Sequence, residues 1–195
     1  MNDFIFYFLE GWKHIISQDA TDHLLFIAAL SVIHSFRQWQ KVLVLITSFT
    51  IGHAFTLYLS AFDLVRFPVE VVEFVIPCTI VVTAIFNLVT KGGEHRQSKK
   101  IQYPLALLFG LVHGMGYANY IRMMLSKDQH FIWGLFSFNV GLEIGQIFVV
   151  LVILMVSWSL TRIHRDAQKT LVLFSSLLIA VFSLYLAIER FPFYP

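Results

Sequence analysis

Residues 131–159, FIWGLFSFNVGLEIGQIFVVLVILMVSWS, decide the fold class. The stretch has one ionisable side chain, Glu143, and exceeds the roughly 20 apolar residues that a helix needs to cross a hydrocarbon core of about 30 Å. Lipid offers no partner to backbone N–H and C=O groups, so the segment must satisfy them internally, as a helix does. Wound as a helix, it sorts into two faces. Asn139, Glu143 and Gln146 follow an i, i+4, i+7 pattern and form a polar stripe. Gly134, Ser137, Gly141 and Gly145 form a small-residue stripe on nearly the opposite side, where another backbone can approach closely. Such a helix belongs inside a bundle. Glu143 is the residue that packing alone explains least, because a carboxylate in hydrocarbon persists only when it is paired, watered or bound to an ion.

The rest of the chain has the same character. Its 195 residues are 57% hydrophobic and 13% charged, with mean hydropathy +0.73, which excludes a soluble domain. The pattern predicts an all-α polytopic membrane helix bundle, a single transmembrane domain over 1–195. A short interfacial helix over 1–18, interrupted by Glu10, Lys13 and His14, precedes six spans at about 19–36, 42–62, 68–90, 102–122, 131–159 and 169–190. The start lacks a basic n-region and a small-residue cleavage site, so no cleavable signal peptide is expected. One cysteine, Cys78, excludes a disulfide framework, and a net charge of +2 gives no sign of a nucleic-acid partner. The expected partners are the lipid bilayer and a metal ion; the oligomeric state is not legible.

Orientation follows from Lys and Arg. Loops after spans one, three and five hold Arg37, Lys41, Lys91, Arg96, Lys99, Lys100, Arg162, Arg165 and Lys169, nine in all. The other side holds Lys13, Arg66, Arg122, Lys127 and Arg190, five in all. Both termini are therefore expected outside, in a bacterial inner membrane.

On that frame the ionisable residues fall between the midplane and the outer leaflet. Asp22 and His23 head the first span, and they read either as ligand and orienting partner or as an N-terminal cap region. His53 lies on the second span in a polar stripe with Thr50 and Thr56. Glu73 lies on the third, four residues before Pro77, whose missing N–H frees the Glu73 carbonyl. His113 lies on the fourth between Gly110 and Gly114, at GxxxG spacing. Imidazoles and carboxylates converging from five segments point to a divalent transition metal such as Ni, Zn or Co. The predicted metal residues are His23, His53, His113, Asp22 and Glu143, with Glu73, Asn139, Gln146, Thr50 and His34 as surrounding or pathway groups. His34 lies eleven residues beyond His23, about 16 Å deeper on nearly the same face, and marks a candidate inner exit. His14, His95, His130 and His164 read as surface residues.

DATDHLLFIAAL, TSFTIGHAFTLYLS, VEFVIPCTIVVTAIFNL, LFGLVHGMGYANYI and FSFNVGLEIGQI run in this order over about residues 11–155. Together they resemble the HupE/UreJ family of hydrogenase and urease accessory membrane proteins. The resemblance implies movement of nickel, or a related divalent metal, through the membrane, with the family's functional positions at Asp22, His23, His53, His113 and Glu143. One departure concerns His14. Family members that handle nickel carry a histidine followed by proline and then glycine before the Asp-His, whereas here His14 is followed by neither.

Two functions of different class fit this pattern. One is a transporter, in which imidazoles and carboxylates replace water around the ion. The other is an intramembrane zinc-dependent hydrolase acting on a lipid or lipid-linked amide, with Glu143 or Asp22 as general base to a metal-bound water of pKa about 7. A buried structural metal is the third alternative. Transport is the expected reading and enzymatic activity the runner-up.

Overall fold

The computed structural model describes residues 3–17, 20–90, 96–125, 131–163 and 167–192. The surface positions expected for His95, His130 and His164, and the loop residues Lys91, Arg165 and Lys127, lie outside the described residues.

The described chain is helical: α1 (Asp3–Ile16), α2 (Thr21–Val32), a 3-10 turn (Phe36–Gln38), α3 (Trp39–Ala61), α4 (Val69–Thr90), α5 (Arg96–Leu125), α6 (Phe131–Ile163) and α7 (Ala167–Glu189). Four stretches, Phe36–Ala61, Val69–Thr90, Ile132–Arg162 and Gln168–Glu189, are long and apolar enough to cross a membrane. Their outer faces are apolar. Ile51, Phe55, Phe148, Leu178 and Val181 are exposed, as expected where lipid rather than water is the solvent.

Helix pairing follows the glycines. A Cβ at Gly52 would come within 2.2 Å of the Leu107 carbonyl oxygen, one at Gly110 within 2.1 Å of that of Phe49, and one at Gly114 within 2.6 Å of that of His53. These contacts lay α3 and α5 side by side, with registers rising together, and they bring His53 next to His113. The GxxxG spacing around His113 thus has the close approach expected of it.

The small-residue stripe of α6 receives α1. Ser137 donates to the Phe4 carbonyl, a Cβ at Gly141 would meet the Phe8 carbonyl oxygen at 2.0 Å, and Gly145 faces Ile15. Gly11 reciprocates, its missing Cβ pointing at the Phe138 carbonyl. Residue numbers rise together, so α1 runs parallel to α6. The segment expected as an interfacial helix over 1–18 is packed along α6, because small residues at Gly11, Gly141 and Gly145 let two backbones meet.

Within the span expected at about 19–36, the helix is short. Helix α2 has 12 residues, about 18 Å and well short of a 30 Å core. Phe26, Ile27, Ala29, Leu30 and Val32 are all buried, as for a helix at the centre of a bundle. Its inner end is tied by the Asn87 amide donating to Ala29 (2.7 Å) and the Gln168 amide donating to Val32 (3.1 Å). Between α3 and α4, Asp63 adopts a left-handed backbone (φ 58°). Arg66 and Arg122 donate to its carboxylate and hold it below the usual carboxylate pKa range.

Candidate metal centre

Four histidines meet where α1 ends and α2 begins. His14 is on the last turn of α1, His23 on the first turn of α2, His53 on α3 and His113 on α5. Ring centroids are 4.8 Å apart for His14–His23, 5.7 Å for His23–His53 and 5.2 Å for His23–His113. One nitrogen from each of His14, His23 and His53 can be chosen so that all three lie within 4.8 Å of one another. Nitrogens on a tetrahedral ion at about 2.05 Å stand roughly 3.3 Å apart, so closure requires ring movements of about 1.5 Å or less.

Local bonding leaves these rings ready to ligate. His113 donates Nδ1–H to the Phe109 carbonyl at 2.8 Å, which fixes the tautomer and leaves the Nε2 lone pair free. The Nε2 atoms of His14, His23, His53 and His113, and Nδ1 of His53, are buried without a hydrogen-bond partner. Each such atom costs about 1–3 kcal/mol of lost hydration. Five on four touching rings is a cost that one cation, accepting several lone pairs, relieves. The donor set fits a borderline-soft divalent ion.

A cavity of about 240 Å³ opens beside the rings, walled by His14, His23 and His113 together with Asp22, Glu73, Tyr117 and Arg190. Opposite it, Phe26 and Phe49 close the floor, their rings 4.9 Å apart and both fully buried. Phe49 also packs on His23, His53 and His113. Beneath, Phe109, Leu30, Thr83 and Asn87 border a separate cavity of about 50 Å³. The Asp22 carboxylate accepts from Arg190 Nη1 at 2.7 Å through one oxygen; its other oxygen is buried without a partner.

The expected polar residues divide between two places. Asp22 and Glu73 line the histidine cavity. Glu143 does not join the group formed by His14, His23 and His53; Thr47 donates to it at 2.7 Å, and Thr47 precedes His53 by six residues, about 9 Å along α3. The polar stripe of α6 nevertheless faces α3 as a unit, since Thr50 donates to Gln146 at 2.9 Å and Asn139 lies beside His53. Among the described residues, a hydroxyl rather than a cation accompanies the Glu143 carboxylate. His34 sits at the inner end of α2, within hydrogen-bond distance of Gln38 (3.2 Å).

Three residues of the site escape the sequence reading. His14 is not the surface residue expected; its ring packs at a tilt against Tyr117, with centroids 3.9 Å apart, and Tyr117 stacks on Phe138. Its neighbours Glu10 and Lys13 form an ion pair, with Lys13 well exposed, and these charges give the segment its superficial look. Tyr117 follows the glycine-rich turn of α5 and carries no charge to notice. Arg190 reads as a basic residue at a helix end, and only the long guanidinium arm brings it to Asp22.

A family model described as HupE / UreJ protein matches residues 1–190. No curated protein and no solved structure matches the chain.

Proposed function

The chain belongs to the HupE/UreJ family, and from that premise we propose that it carries a divalent transition metal, nickel or a related ion, across the membrane by way of the histidine cluster. One observation carries the reading: His14, His23 and His53, from three helices, bring ligand nitrogens within 4.8 Å of one another, with unpartnered Nε2 atoms, beside an open, partly acidic cavity. His14, His23 and His53 are the proposed ligands, with His113 and Asp22 completing the shell. Neutral imidazoles exchange with water more readily than thiolates do, which suits an ion that must leave again. A carboxylate at Asp22 offsets charge that the low-dielectric bundle would otherwise oppose.

The proposed arrangement in the membrane has six crossings with both termini outside. The first crossing consists of α1 and α2 end to end, interrupted at the site. Helix breaks of this kind place irregular backbone only where a cavity needs it. The histidine cavity then faces outward. The Phe26–Phe49 floor must part for an ion to reach the inner cavity beside Asn87 and leave past His34. Glu143, with Thr47, Thr50 and Gln146, flanks this route and supplies negative charge below the histidines.

The test is metal content of the purified protein together with nickel and cobalt uptake by cells producing it. Wild-type cells are expected to accumulate metal, and His23→Ala and His53→Ala cells to match the empty vector. A folded, metal-loaded protein whose cells accumulate nothing would overturn transport in favour of a zinc-dependent hydrolase, for which the same cavity would admit a lipid-derived substrate.

A further inference from the structure

Arg190 is the one cationic side chain that reaches the histidine cavity among the described residues, and it lies on the carboxylate a metal would use. Its Nη1 is 2.7 Å from Asp22 Oδ2, with side-chain exposure of 30% for Arg190 and 13% for Asp22. The other Asp22 oxygen is buried and unpartnered, and Asp22 lines the cavity with His14, His23 and His113. A divalent cation held by His14 and His23 would stand close to that guanidinium. Binding therefore requires either repulsion between like charges or movement of Arg190.

The cavity offers the arginine a second seat. Glu73 lines the same cavity from α4, and it is solvent-exposed. The outer ends of α4 and α7 are fastened together, with the Phe74 and Phe191 rings 5.4 Å apart. Phe74 follows Glu73 and Phe191 follows Arg190, so the carboxylate and the guanidinium share one stretch of wall. A long, always-charged side chain can pivot between two carboxylates without any helix moving.

We propose that Arg190 is a cation-displaced latch: it neutralises Asp22 when the site is empty, and passes to Glu73 when a divalent ion takes Asp22. The latch rests on the metal reading of the histidine cluster. It makes Arg190 a positioning residue that sets affinity by competition. A monovalent ion has little charge advantage over the guanidinium, whereas a divalent ion held by imidazoles displaces it. The same competition keeps the ion exchangeable, because the returning arginine favours its release.

Calorimetric titration of purified protein with Ni²⁺ decides the matter. Arg190→Gln removes the competitor and is expected to bind Ni²⁺ about tenfold more tightly, within the usual range of coupling between two sites. Arg190→Lys keeps a cation and should stay close to wild type. Glu73→Gln removes the second seat as well as a cavity charge, so it should weaken binding several-fold with Arg190 present and clearly less in the Arg190→Gln background. Unchanged or weaker binding by an Arg190→Gln protein with wild-type helicity and melting overturns the latch, as does an equal effect of Glu73→Gln in both backgrounds. Should Arg190→Gln not fold, Glu73→Gln alone is decisive, and wild-type affinity in that variant overturns the proposal. A folded wild type that binds none of Ni²⁺, Co²⁺ and Zn²⁺ removes the metal reading itself, an outcome distinct from binding without an Arg190 effect.

Discussion

His14 and His34 are both histidines at the end of a short apolar helix, yet their surroundings differ. His14 packs against His23 and Tyr117 within the imidazole cluster, whereas His34 lies at the other end of α2, with Nδ1 within hydrogen-bond distance of Gln38. Accordingly, His14→Ala, His23→Ala or His53→Ala should each weaken Ni²⁺ binding at least tenfold, while His34→Ala should leave it within about twofold, measured by titration of purified protein. A protonated imidazole has no lone pair to give, so affinity should fall as pH is lowered and never rise. Titrations at several pH values in one buffer series check the sign. The sequence marks His23, His53 and His113 because each is an ionisable group in an apolar run. It conceals His14, because Glu10 and Lys13 make the segment look superficial. The buried face of α1, Tyr7, Gly11 and Ile15, recurs every four residues and is visible in the sequence. Its meaning depends on Gly141, on a helix far away in the chain.

Among the elements, two helix pairs hold the site together, and both are close because a side chain is missing. Leucine at Gly11 or Gly141 would drive carbon into a carbonyl oxygen that already stands 2.0 Å from an ideal Cβ. The backbones must separate, at a cost of about 1–3 kcal/mol. Gly141→Leu should therefore lower the melting temperature and weaken Ni²⁺ binding as His14→Ala does, with circular dichroism still showing a helical protein. Gly110→Leu acts on the other pair, parting Phe49 from α5 and spreading His53 from His113. Both faces of α6 are readable in advance, since side-chain periodicity fixes which residues share a face. Which helix each face meets is not, because glycine accepts any close backbone. For the same reason Glu143 can be assigned a polar neighbour but not told apart from a histidine ligand; Thr47 is equally consistent with the spacing.

The molecule as a whole is described well by its hydropathy, which marks the long helices α3, α4, α6 and α7 nearly to their ends. Hydropathy is less informative over α1 and α2, because it averages over a window, and the two helices are each shorter than the window and differ in polarity. Orientation rests on the excess of Lys and Arg in the loops assigned to the cytoplasm. In a Cys78→Ser background, Leu64→Cys, in the α3–α4 connection, should react with an impermeant thiol reagent on intact cells. Gln40→Cys, at the other end of α3, should react only after lysis. The reverse pattern would invert the orientation.

The parallel seat of α1 on α6 also fixes an order of events during synthesis. Helix α1 leaves the ribosome first, but the groove that holds it exists only after Gly141 and Gly145 have been made. Until then, His14 has no place beside His23, and the nascent chain cannot present its complete set of imidazoles. A chain halted before α6 would have its leading segment undocked, and the proposed metal site would be complete only once α6 is in place.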